Sequence, residues 1–422
     1  MEKYSEYKDS GVQWLGEIPS HWKIRRIKWL FREEDEKNVN LTYQLLSFSR
    51  NKGIIPFSAI NEKAPSASDL SKYKVLHEGQ LLENRMQAWS GMFGCSHIEG
   101  CVSPDYSVFS PYDSNVVTEY YACLFRTPIF VQQFANASKG IGDGFNRLYT
   151  PQFHKIYAIV PSTIEQHAIV SYLDTKCSKL DTFISNKEKE ITLLQEIKLR
   201  VITDAVTRGL NPNVKFKPTN IPWLPEIPEY WKIKRAKNMF KKEQRPIQDD
   251  DEIVTCFRDG EVTLRKNRRT SGFTEATDYS HYQHICKGDL VIHQMDAFAG
   301  SSGVSDSDGM GTPVLSVCTP KIEGIDNYYY AHVLRIMGKN GFILSLYRGI
   351  RERSSDFRFD TFIKQWLPVP PIEEQHAIVS YITERVAKID SLVEKLNKEI
   401  ECIKEYKQRL ISDVVTGQIK VS

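Results

Sequence analysis

The stretch "EQHAIVSYL" at residues 165–173 recurs almost unchanged as "EQHAIVSYI" at residues 374–382, 209 positions later. The same interval relates "WLGEIPSHWKI" (14–24) to "WLPEIPEYWKI" (223–233). It also relates single residues between these stretches: Gly79 and Gly288, Met86 and Met295, Gly91 and Gly300, Phe153 and Phe362, and Pro161 and Pro370. A period of this length is far longer than that of a solenoid repeat. The sequence therefore predicts a tandem duplication of a unit of about 209 residues, each copy a domain with an additional segment.

The two ends of the repeated unit are nearly identical, whereas its middle has diverged. The middles contain short strand-like stretches, such as "KIYAIVP" (155–161) and "GDLVIHQM" (288–295), between turns rich in Gly, Ser and Asn. The predicted fold class is α/β, with two similar α/β domains that alternate with two long helices. The predicted boundaries are a first domain at 1–160, a central helix at 161–209, a second domain at 210–369 and a C-terminal helix at 370–422.

Each predicted long helix carries apolar residues in alternating steps of four and three, the spacing of a heptad repeat. We call these residues the apolar seam. In the first helix it comprises Leu173, Leu180, Ile184, Ile191, Leu194 and Val201. In the second helix it comprises Ile382, Val386, Ile389, Val393, Leu396, Ile400, Ile403 and Leu410. Lysines interrupt the pattern at Lys187, Lys198 and Lys407. The simplest way to bury both seams is an antiparallel coiled coil within the chain, with one domain at each end; a parallel pairing in a homodimer is the alternative.

Composition excludes several classes of protein. The chain is 41% hydrophobic and 26% charged, as in ordinary globular proteins, and its net charge of +3 permits a nucleic-acid partner without requiring one. No apolar run approaches the ~18 residues that span a membrane, and the first residues do not form a signal peptide, so we expect a cytoplasmic protein without a membrane partner. No cysteine meets another at the 209-residue interval and no Cys-x-x-Cys occurs, so no metal site or disulfide is predicted.

Only one histidine pair keeps the interval, His167 and His376. Each follows a Glu-Gln dipeptide at the predicted start of a long helix, and Ser162 with Glu165 has the spacing of a capping box. We expect the glutamate and the glutamine to complete the helix N-terminus and the histidine to pack on the adjoining domain. A catalytic or metal-binding histidine pair is the alternative.

Two duplicated motifs carry a resemblance to a known family. They are "EIPSHWKIRRIKWLF" (17–31) with its copy "EIPEYWKIKRAKNMF" (226–240), and the P-x-x-x-E-Q-x-A-I pattern that opens each long helix. In these motifs and in the order of its segments, the whole chain resembles the specificity subunit of type I restriction-modification systems. The resemblance implies that the two domains are target-recognition domains, each reading one half of a bipartite, asymmetric DNA site.

The resemblance also implies partners. The antiparallel coiled coil would set the unread spacer and dock methyltransferase subunits, two in number, and restriction or translocase subunits would join that core. Double-stranded DNA would be the ligand. The specificity subunit would hold no cofactor, because S-adenosylmethionine, ATP and Mg²⁺ would be bound by the partner subunits.

The sequence shows no motif for catalysis by the chain itself. It lacks an Asn/Asp-Pro-Pro-Tyr/Phe methyltransferase motif, a glycine-rich cofactor loop followed by an acidic residue, and a GxxxxGK[S/T] phosphate loop. A non-catalytic binding module is therefore predicted. Two alternatives are a subunit that targets a different enzyme to DNA and a duplicated coiled-coil scaffold that binds protein only.

Polar and cationic residues in three segments of each domain are candidates for DNA contact, since Arg and Lys bind phosphates and Arg reads guanine. The candidates in the first domain are Arg50, Asn51, Lys52, Arg85, Gln87, Lys139, Asn146 and Arg147. Those in the second domain are Arg258, Arg265, Lys266, Arg268, Arg269, His293, Gln294, Arg348, Arg351, Arg353 and Arg358. The position equivalent to Arg258 is Ser49, so the domains differ where direct readout is expected. Solvated surface charge is the alternative for any single residue.

Overall fold

The computed structural model describes residues 2–50, 52–59, 69–140, 146–269, 271–272, 278–346 and 357–421. Contacts divide the chain into two compact units. Unit 1 comprises Met1–Lys187 and Lys398–Ser422, and unit 2 comprises Glu188–Asn397. Each unit therefore contains one of the predicted domains and parts of both long helices.

The described residues of unit 1 form twelve strands and three short α-helices, followed by the first part of a long helix. The strands are β1 Tyr7–Asp9, β2 Glu17–Pro19, β3 Lys23–Arg26, β4 Phe31–Glu34, β5 Leu46–Ser49, β6 Gly53–Pro56, β7 Lys74–Leu76, β8 Leu81–Asn84, β9 Phe93–Cys95, β10 Gly100–Val102, β11 Tyr106–Pro111 and β12 Tyr157–Val160. The helices are α1 Thr118–Leu124, α2 Pro128–Ala137, α3 Thr150–Phe153 and the long helix α4 Thr163–Arg208.

Unit 2 repeats this plan. Its strands are β13 Phe216–Ile221, β14 Leu224–Pro228, β15 Lys232–Arg235, β16 Phe240–Lys242, β17 Val254–Cys256, β18 Val262–Leu264, β19 Gln283–Ile285, β20 Leu290–His293, β21 Ser302–Val304, β22 Gly309–Gly311, β23 Leu315–Pro320 and β24 Trp366–Val369. Its helices are α5 Asn327–Lys339, α6 Phe342–Ser345, α7 Phe359–Phe362 and the long helix α8 Ile372–Val415, whose last part belongs to unit 1.

Both units build the same sheets from corresponding strands. The four-stranded sheet has the order β4-β11-β8-β9 in unit 1 and β16-β23-β20-β21 in unit 2, and β3 pairs with β12 as β15 pairs with β24. The predicted mixture of helices and strands is confirmed. Every pairing between these named strands is antiparallel, so the sheets are not the parallel type that βαβ connections produce.

The core of each unit joins the domain to both long helices. Trp22 and Trp231 are fully buried, and each donates its indole N–H to the glutamate near the start of the following helix, Glu165 at 3.0 Å and Glu374 at 2.9 Å. Because a buried indole N–H needs an acceptor, this bond fixes the duplicated N-terminal motif against the helix start.

A pair of tyrosines fixes the end of the other helix in the same way. The Tyr120 hydroxyl donates to the Val415 carbonyl at the end of α8, and the Tyr329 hydroxyl donates to the Val206 carbonyl near the end of α4, both at 2.8 Å. The last carbonyls of a helix have no partner within the helix. These buried hydroxyls therefore supply one, and each unit holds the start of one long helix and the end of the other.

The long helices contact each other within each unit in opposite directions. In unit 1, Lys407 pairs with Asp181 at 2.6 Å and Lys187 with Glu399 at 3.2 Å. In unit 2, Lys198 pairs with Asp390 at 2.7 Å. Residue numbers rise along one helix as they fall along the other, so the packing is antiparallel.

The apolar seam lies on the same two helices, and most of its side chains are shielded from solvent. The buried members are Leu173, Ile184, Ile382, Ile389, Leu396, Ile400 and Leu410. The half-buried members are Leu180, Ile191, Leu194, Val201, Val386, Val393 and Ile403. None of the predicted seam residues is exposed. In the part of the chain that the structure describes, no helix has both the length and the apolar character needed to cross a bilayer.

Candidate nucleic-acid interface

The turn that follows β8 organises the candidate residues of unit 1. The backbone N–H of Gln87 donates to the Asn84 carbonyl at 2.9 Å, which closes the turn and leaves the Gln87 side chain exposed. Arg85 is half-buried and donates to the backbone carbonyls of Asp105, at 3.0 Å, and Pro104. Arg85 therefore stabilises the loop beside the turn, whereas Gln87 is presented to solvent.

The other two candidate segments of unit 1 meet at this turn. The Arg50 guanidinium donates to the Ser90 carbonyl at 2.9 Å and to its hydroxyl at 2.7 Å. Arg147 lies 3.6 Å from Asp105, and the following residue, Leu148, donates its N–H to the Arg85 carbonyl at 3.1 Å. The structure thus brings together three segments that are far apart in the sequence. Lys52, Lys139 and Asn146 are exposed at their edges, and Asn51 lies outside the described residues.

Unit 2 assembles its candidates around the equivalent turn, which follows β20. Arg258 pairs with Asp296 in this turn at 2.9 Å. The Gln294 carbonyl accepts the N–H of Phe357 at 2.8 Å, which places the exposed Arg358 at the same location. The Gln294 amide itself donates to the Ser316 hydroxyl at 3.2 Å. Arg348, Arg351 and Arg353 lie outside the described residues.

His293 lies at the start of the unit 2 turn in a neutral form. Its Nδ1 accepts the backbone N–H of Asp296 at 3.2 Å, and burial lowers the pKa of His293. An imidazole that accepts at Nδ1 carries its proton on Nε2. His293 can therefore offer an N–H donor to a nucleobase without carrying a charge.

Several of the candidate cations already have acidic partners within their own unit. Arg268 lies 2.7 Å from both Asp259 and Glu261 and stacks on the Phe257 ring at 4.3 Å, and Lys266 pairs with Glu252. Arg269 donates to the Ser271 carbonyl at 3.2 Å, while Arg265 is half-buried. Exposed ion pairs contribute only about 0–1 kcal/mol. The carboxylates therefore hold the Arg268 guanidinium and the Lys266 ammonium in place only weakly.

The residues at the helix starts behave only partly as predicted. Glu165 accepts the Ser162 N–H at 3.1 Å and Ser162 Oγ accepts the Glu165 N–H at 3.3 Å, which is the expected capping box. The side-chain Oε1 atom of Gln166 accepts the Val117 N–H at 2.9 Å. The prediction that the histidines pack on the adjoining domain is wrong for His167, which is exposed; His376 is also exposed and reaches that domain only at its edge, with Nε2 3.9 Å from Asp326. Two helical residues after the buried glutamate, a side chain points to the opposite side of the helix.

One group of possible metal ligands lies in unit 2. His284, Cys286 and Asp308 offer ligand atoms within 4.8 Å of one another. The Nδ1 atom of His284 lies 2.9 Å from both carboxylate oxygens of Asp251. The residue that corresponds to His284 in unit 1 is Val75, so the group is not part of the shared unit. That the chain has no metal site stays a prediction.

Sequence reasoning missed a second basic surface that occurs in both units. It lies on the sheets β3–β12 and β15–β24, where arginine side chains stack on exposed aromatic rings: Arg26 on Tyr157 at 5.2 Å and Arg235 on Trp366 at 4.9 Å. Its residues are part of the duplicated stretches and keep the 209-residue interval. That interval was the signal that could have found them.

Comparison with known proteins gives relatives of one kind. The chain is 24% identical over 293 residues to the specificity subunit of the type I restriction enzyme MjaVIII from Methanocaldococcus jannaschii, and the match covers 66% of each chain. It is 24% identical over 443 residues to a second protein of this organism, assigned as the specificity subunit of the type I restriction enzyme MjaX, with 96% of each chain covered. The chain is similar to type I specificity subunits. No protein-family model matches the sequence.

Solved structures show that the fold is also that of specificity subunits. A chain from a structure on complex assembly and conformational transition of the type I R-M system has a TM-score of 0.68 at 13% identity, covering 95% of this chain and 99% of that one. The HsdS subunit from Thermoanaerobacter tengcongensis has a TM-score of 0.52 at 13% identity, covering 95% and 98%. The predicted family resemblance is thereby confirmed over nearly the whole chain.

Proposed function

We propose that this chain is the DNA sequence-specificity subunit of a type I restriction-modification complex, in which each domain reads one half of a bipartite, asymmetric site. The observation that carries the proposal is the repetition of one domain in two units, on a fold shared with a type I R-M chain over 95% of the length. The chain arose, in this view, by tandem duplication of a domain followed by a helix.

The divergence of the candidate surfaces supports two different half-sites. The turn after β8 presents Gln87, whereas the turn after β20 presents the neutral His293 beside the ion pair of Arg258 with Asp296. Amide, imidazole and guanidinium groups recognise different base edges in the major groove. Two domains that share a framework and differ at these positions would read different short sequences.

The paired helices are proposed to be a coiled coil that sets the unread spacer and docks methyltransferase subunits. The buried seam and the three antiparallel ion pairs support this role, because they fix one register between the helices. The methylation, ATP hydrolysis and cleavage chemistry would belong to partner subunits, which would bind S-adenosylmethionine, ATP and Mg²⁺. This chain would contribute specificity and assembly.

A methylation map tests the proposal. The chain is co-expressed with the adenine methyltransferase of its own system in a host that lacks both, and N6-methyladenine is located by sequencing. The expected result is a new motif with two specified blocks around an unread gap. A soluble, assembled complex that produces no new methylation would refute the proposal in favour of a targeting or scaffold role.

A domain exchange identifies which domain reads which half of the DNA site. Residues 230–369 are replaced by the corresponding segment of a relative that has a different motif, and the methylation map is repeated. One block of the motif should change while the other block and the gap stay the same. The matched control exchanges residues 20–160 and should change the other block; a change of both blocks in either exchange would contradict independent reading.

A further inference from the structure

The surface that sequence reasoning missed has three cations and one aromatic residue in each unit. We call it the basic–aromatic cluster. In unit 1 it comprises Arg26, Lys28, Lys155 and Tyr157. In unit 2 it comprises Arg235, Lys237, Lys364 and Trp366. All eight residues are exposed, and each member of one unit lies 209 positions from its counterpart in the other.

Backbone hydrogen bonds bring the members of each cluster together. In unit 1, Lys28 donates its N–H to the His154 carbonyl at 3.3 Å, which places Lys28 next to Lys155, and Arg26 is the cross-strand partner of Tyr157. In unit 2, Lys237 donates its N–H to the Ile363 carbonyl at 3.0 Å, and Arg235 is the cross-strand partner of Trp366. In each unit one arginine thus stacks on the exposed ring and two lysines project from the adjoining backbone; in unit 1 the Lys28 ammonium lies over the neighbouring Trp29 ring at 4.7 Å.

These cations differ in their electrostatic environment from four of the candidate DNA-contacting cations. Among the described residues, none of the six has a carboxylate within ion-pair distance, whereas Arg147, Arg258, Lys266 and Arg268 all have one. A chain with a net charge of only +3 therefore concentrates uncompensated positive charge twice, at equivalent places. Such a site is complementary to a polyanion.

Each cluster is connected along the chain to a segment of the candidate interface of its own unit. In unit 1, the chain runs from Arg147 through the exposed Tyr149 and α3 to Lys155. In unit 2, it runs from Arg358 through α7 to Lys364, and Lys321 donates its ammonium to the Lys237 carbonyl at 2.8 Å, which adds a cation to the border of the cluster. In both units a single short segment thus links the cluster to residues that the proposed function assigns to DNA.

We propose that each basic–aromatic cluster binds the phosphodiester backbone of duplex DNA without reading its sequence. The inference rests on the proposed function and assigns base recognition and phosphate binding to different residues. Residues that differ between the units recognise bases, and residues that the units share bind phosphates, because phosphates are the same at both half-sites. The stacked rings hold the Arg26 and Arg235 guanidinium groups in position to bind them.

The test removes the charges of one cluster at a time. The variants are Arg26→Gln/Lys28→Gln/Lys155→Gln in unit 1, Arg235→Gln/Lys237→Gln/Lys364→Gln in unit 2, and the combination of all six. The control, Lys3→Gln/Lys8→Gln/Lys72→Gln, removes three exposed lysines of unit 1 that lie outside the cluster. Binding of the complex with its methyltransferase to duplexes with and without the mapped motif is measured over a series of salt concentrations.

The expected result is a similar decrease in affinity, roughly tenfold or more, in each triple variant and for both duplexes, with an unchanged methylation motif. The slope of log K against log salt should fall in magnitude by about one for each phosphate that the variant no longer binds. The fold-decrease in affinity of the variant with all six substitutions should equal the product of the fold-decreases of the two triple variants. The control should bind like the wild type.

Three other outcomes overturn the inference. Unchanged affinity and salt slope in the triple variants would overturn it while the proposed function stands on the methylation map. Dissociation of the methyltransferase from the complex, measured by light scattering after size exclusion, would assign the cluster to protein docking instead. A wild-type complex that neither binds duplex DNA nor methylates it would refute the proposed function and the inference together.

Discussion

Lys407 donates its ammonium group to both carboxylate oxygens of Asp181, at 2.6 and 2.8 Å. The residues one repeat away, Lys198 and Asp390, make the same pair at 2.7 and 2.8 Å. Both lysines occupy positions at which the heptad pattern calls for an apolar side chain. Because a lysine can bury its methylene groups and extend its charge to the rim of the interface, the carboxylate on the opposite helix explains how the seam accommodates it.

A charge exchange at this pair tests the register of the helices. Asp181→Lys alone should destabilise unit 1, since it places two ammonium groups together, and Asp181→Lys combined with Lys407→Asp should recover most of the stability. The expected coupling energy is about 0.3–1 kcal/mol, as for partly exposed pairs, measured by urea unfolding of the single and double variants. The equivalent exchange at Lys198 and Asp390 should give the same value. Strictly additive effects at both pairs would contradict the observed register.

Glu83 is expected to destabilise unit 1 at neutral and alkaline pH. It is fully buried on β8, neither of its carboxylate oxygens has a hydrogen-bond partner among the described residues, and burial raises its pKa well above the usual range, against the opposing charge of Arg85. The pKa of Glu83 is higher in the folded state than in the unfolded state. The free energy of unfolding is therefore highest below the unfolded-state pKa and decreases as pH rises towards the folded-state pKa.

Glu83→Ile tests this, because the equivalent position in unit 2 is Ile292. The variant should gain about 1–3 kcal/mol at about pH 8, and the gain should shrink as the pH is lowered to about 4. Chemical unfolding at several pH values measures the difference. The control is Ser107→Ala on the neighbouring strand, which also removes a buried group without a partner among the described residues and should show no pH dependence. A pH-independent effect of Glu83→Ile would show that the carboxyl is not the cause.

Glu165 should have the opposite pH dependence. Burial alone would raise its pKa, but hydrogen bonds from Trp22, His21 and Ser162 outweigh burial and lower the pKa to about 2. A group with a depressed folded pKa stabilises the protein above its unfolded pKa and loses this effect as pH falls towards the folded one. The stability that Glu165 provides should therefore disappear between about pH 4.5 and about pH 2.

Two substitutions separate the charge of Glu165 from its hydrogen bonds. Glu165→Ala leaves the buried Trp22 N–H without an acceptor and should cost about 1–3 kcal/mol at neutral pH. Glu165→Gln keeps an acceptor, so it should cost less and should remove the acid dependence. Measuring the free energy of unfolding at decreasing pH distinguishes the two variants. If the stability of Glu165→Gln fell at acid pH as that of the wild type does, the Glu165 carboxylate would be excluded as the origin of the acid dependence.

The sequence predicts the long helices better than the sheets, for a physical reason. A heptad pattern repeats over many turns, so the starts of α4 and α8 follow from Pro161 and Pro370, whereas α8 ends at Val415 and not at the predicted residue 422. Strands such as β7 and β19 have three residues each, too few to show a period, and their partners β10 and β22 lie more than twenty positions away. The antiparallel sheet order was therefore not predictable.

The candidate interface was predictable as segments but not as a surface. The duplication located the loops around Arg50, Arg85 and Arg147 because their copies diverge. The neutralisation of Arg258 by Asp296 was not predictable, because the two residues are separated by 38 positions and meet only through the fold. The basic–aromatic clusters show the converse: similarity between the copies marked them, whereas the search for half-site specificity looked only for differences.

An insertion in both helices tests the proposed spacer role directly. By the register of the ion pairs, Glu190 of α4 lies opposite Asn397 of α8, so one heptad can be added after each of these residues with the seam kept in phase. Seven residues lengthen a helix by about 10 Å, which corresponds to about three base pairs of duplex DNA. The methylation map should show the same two blocks with a gap about three base pairs longer. The control inserts a heptad in α4 alone, which breaks the register and should abolish methylation. An unchanged gap in a stable, methylating double insertion would mean that the helices do not determine the spacing, and that the domains find their half-sites by another constraint.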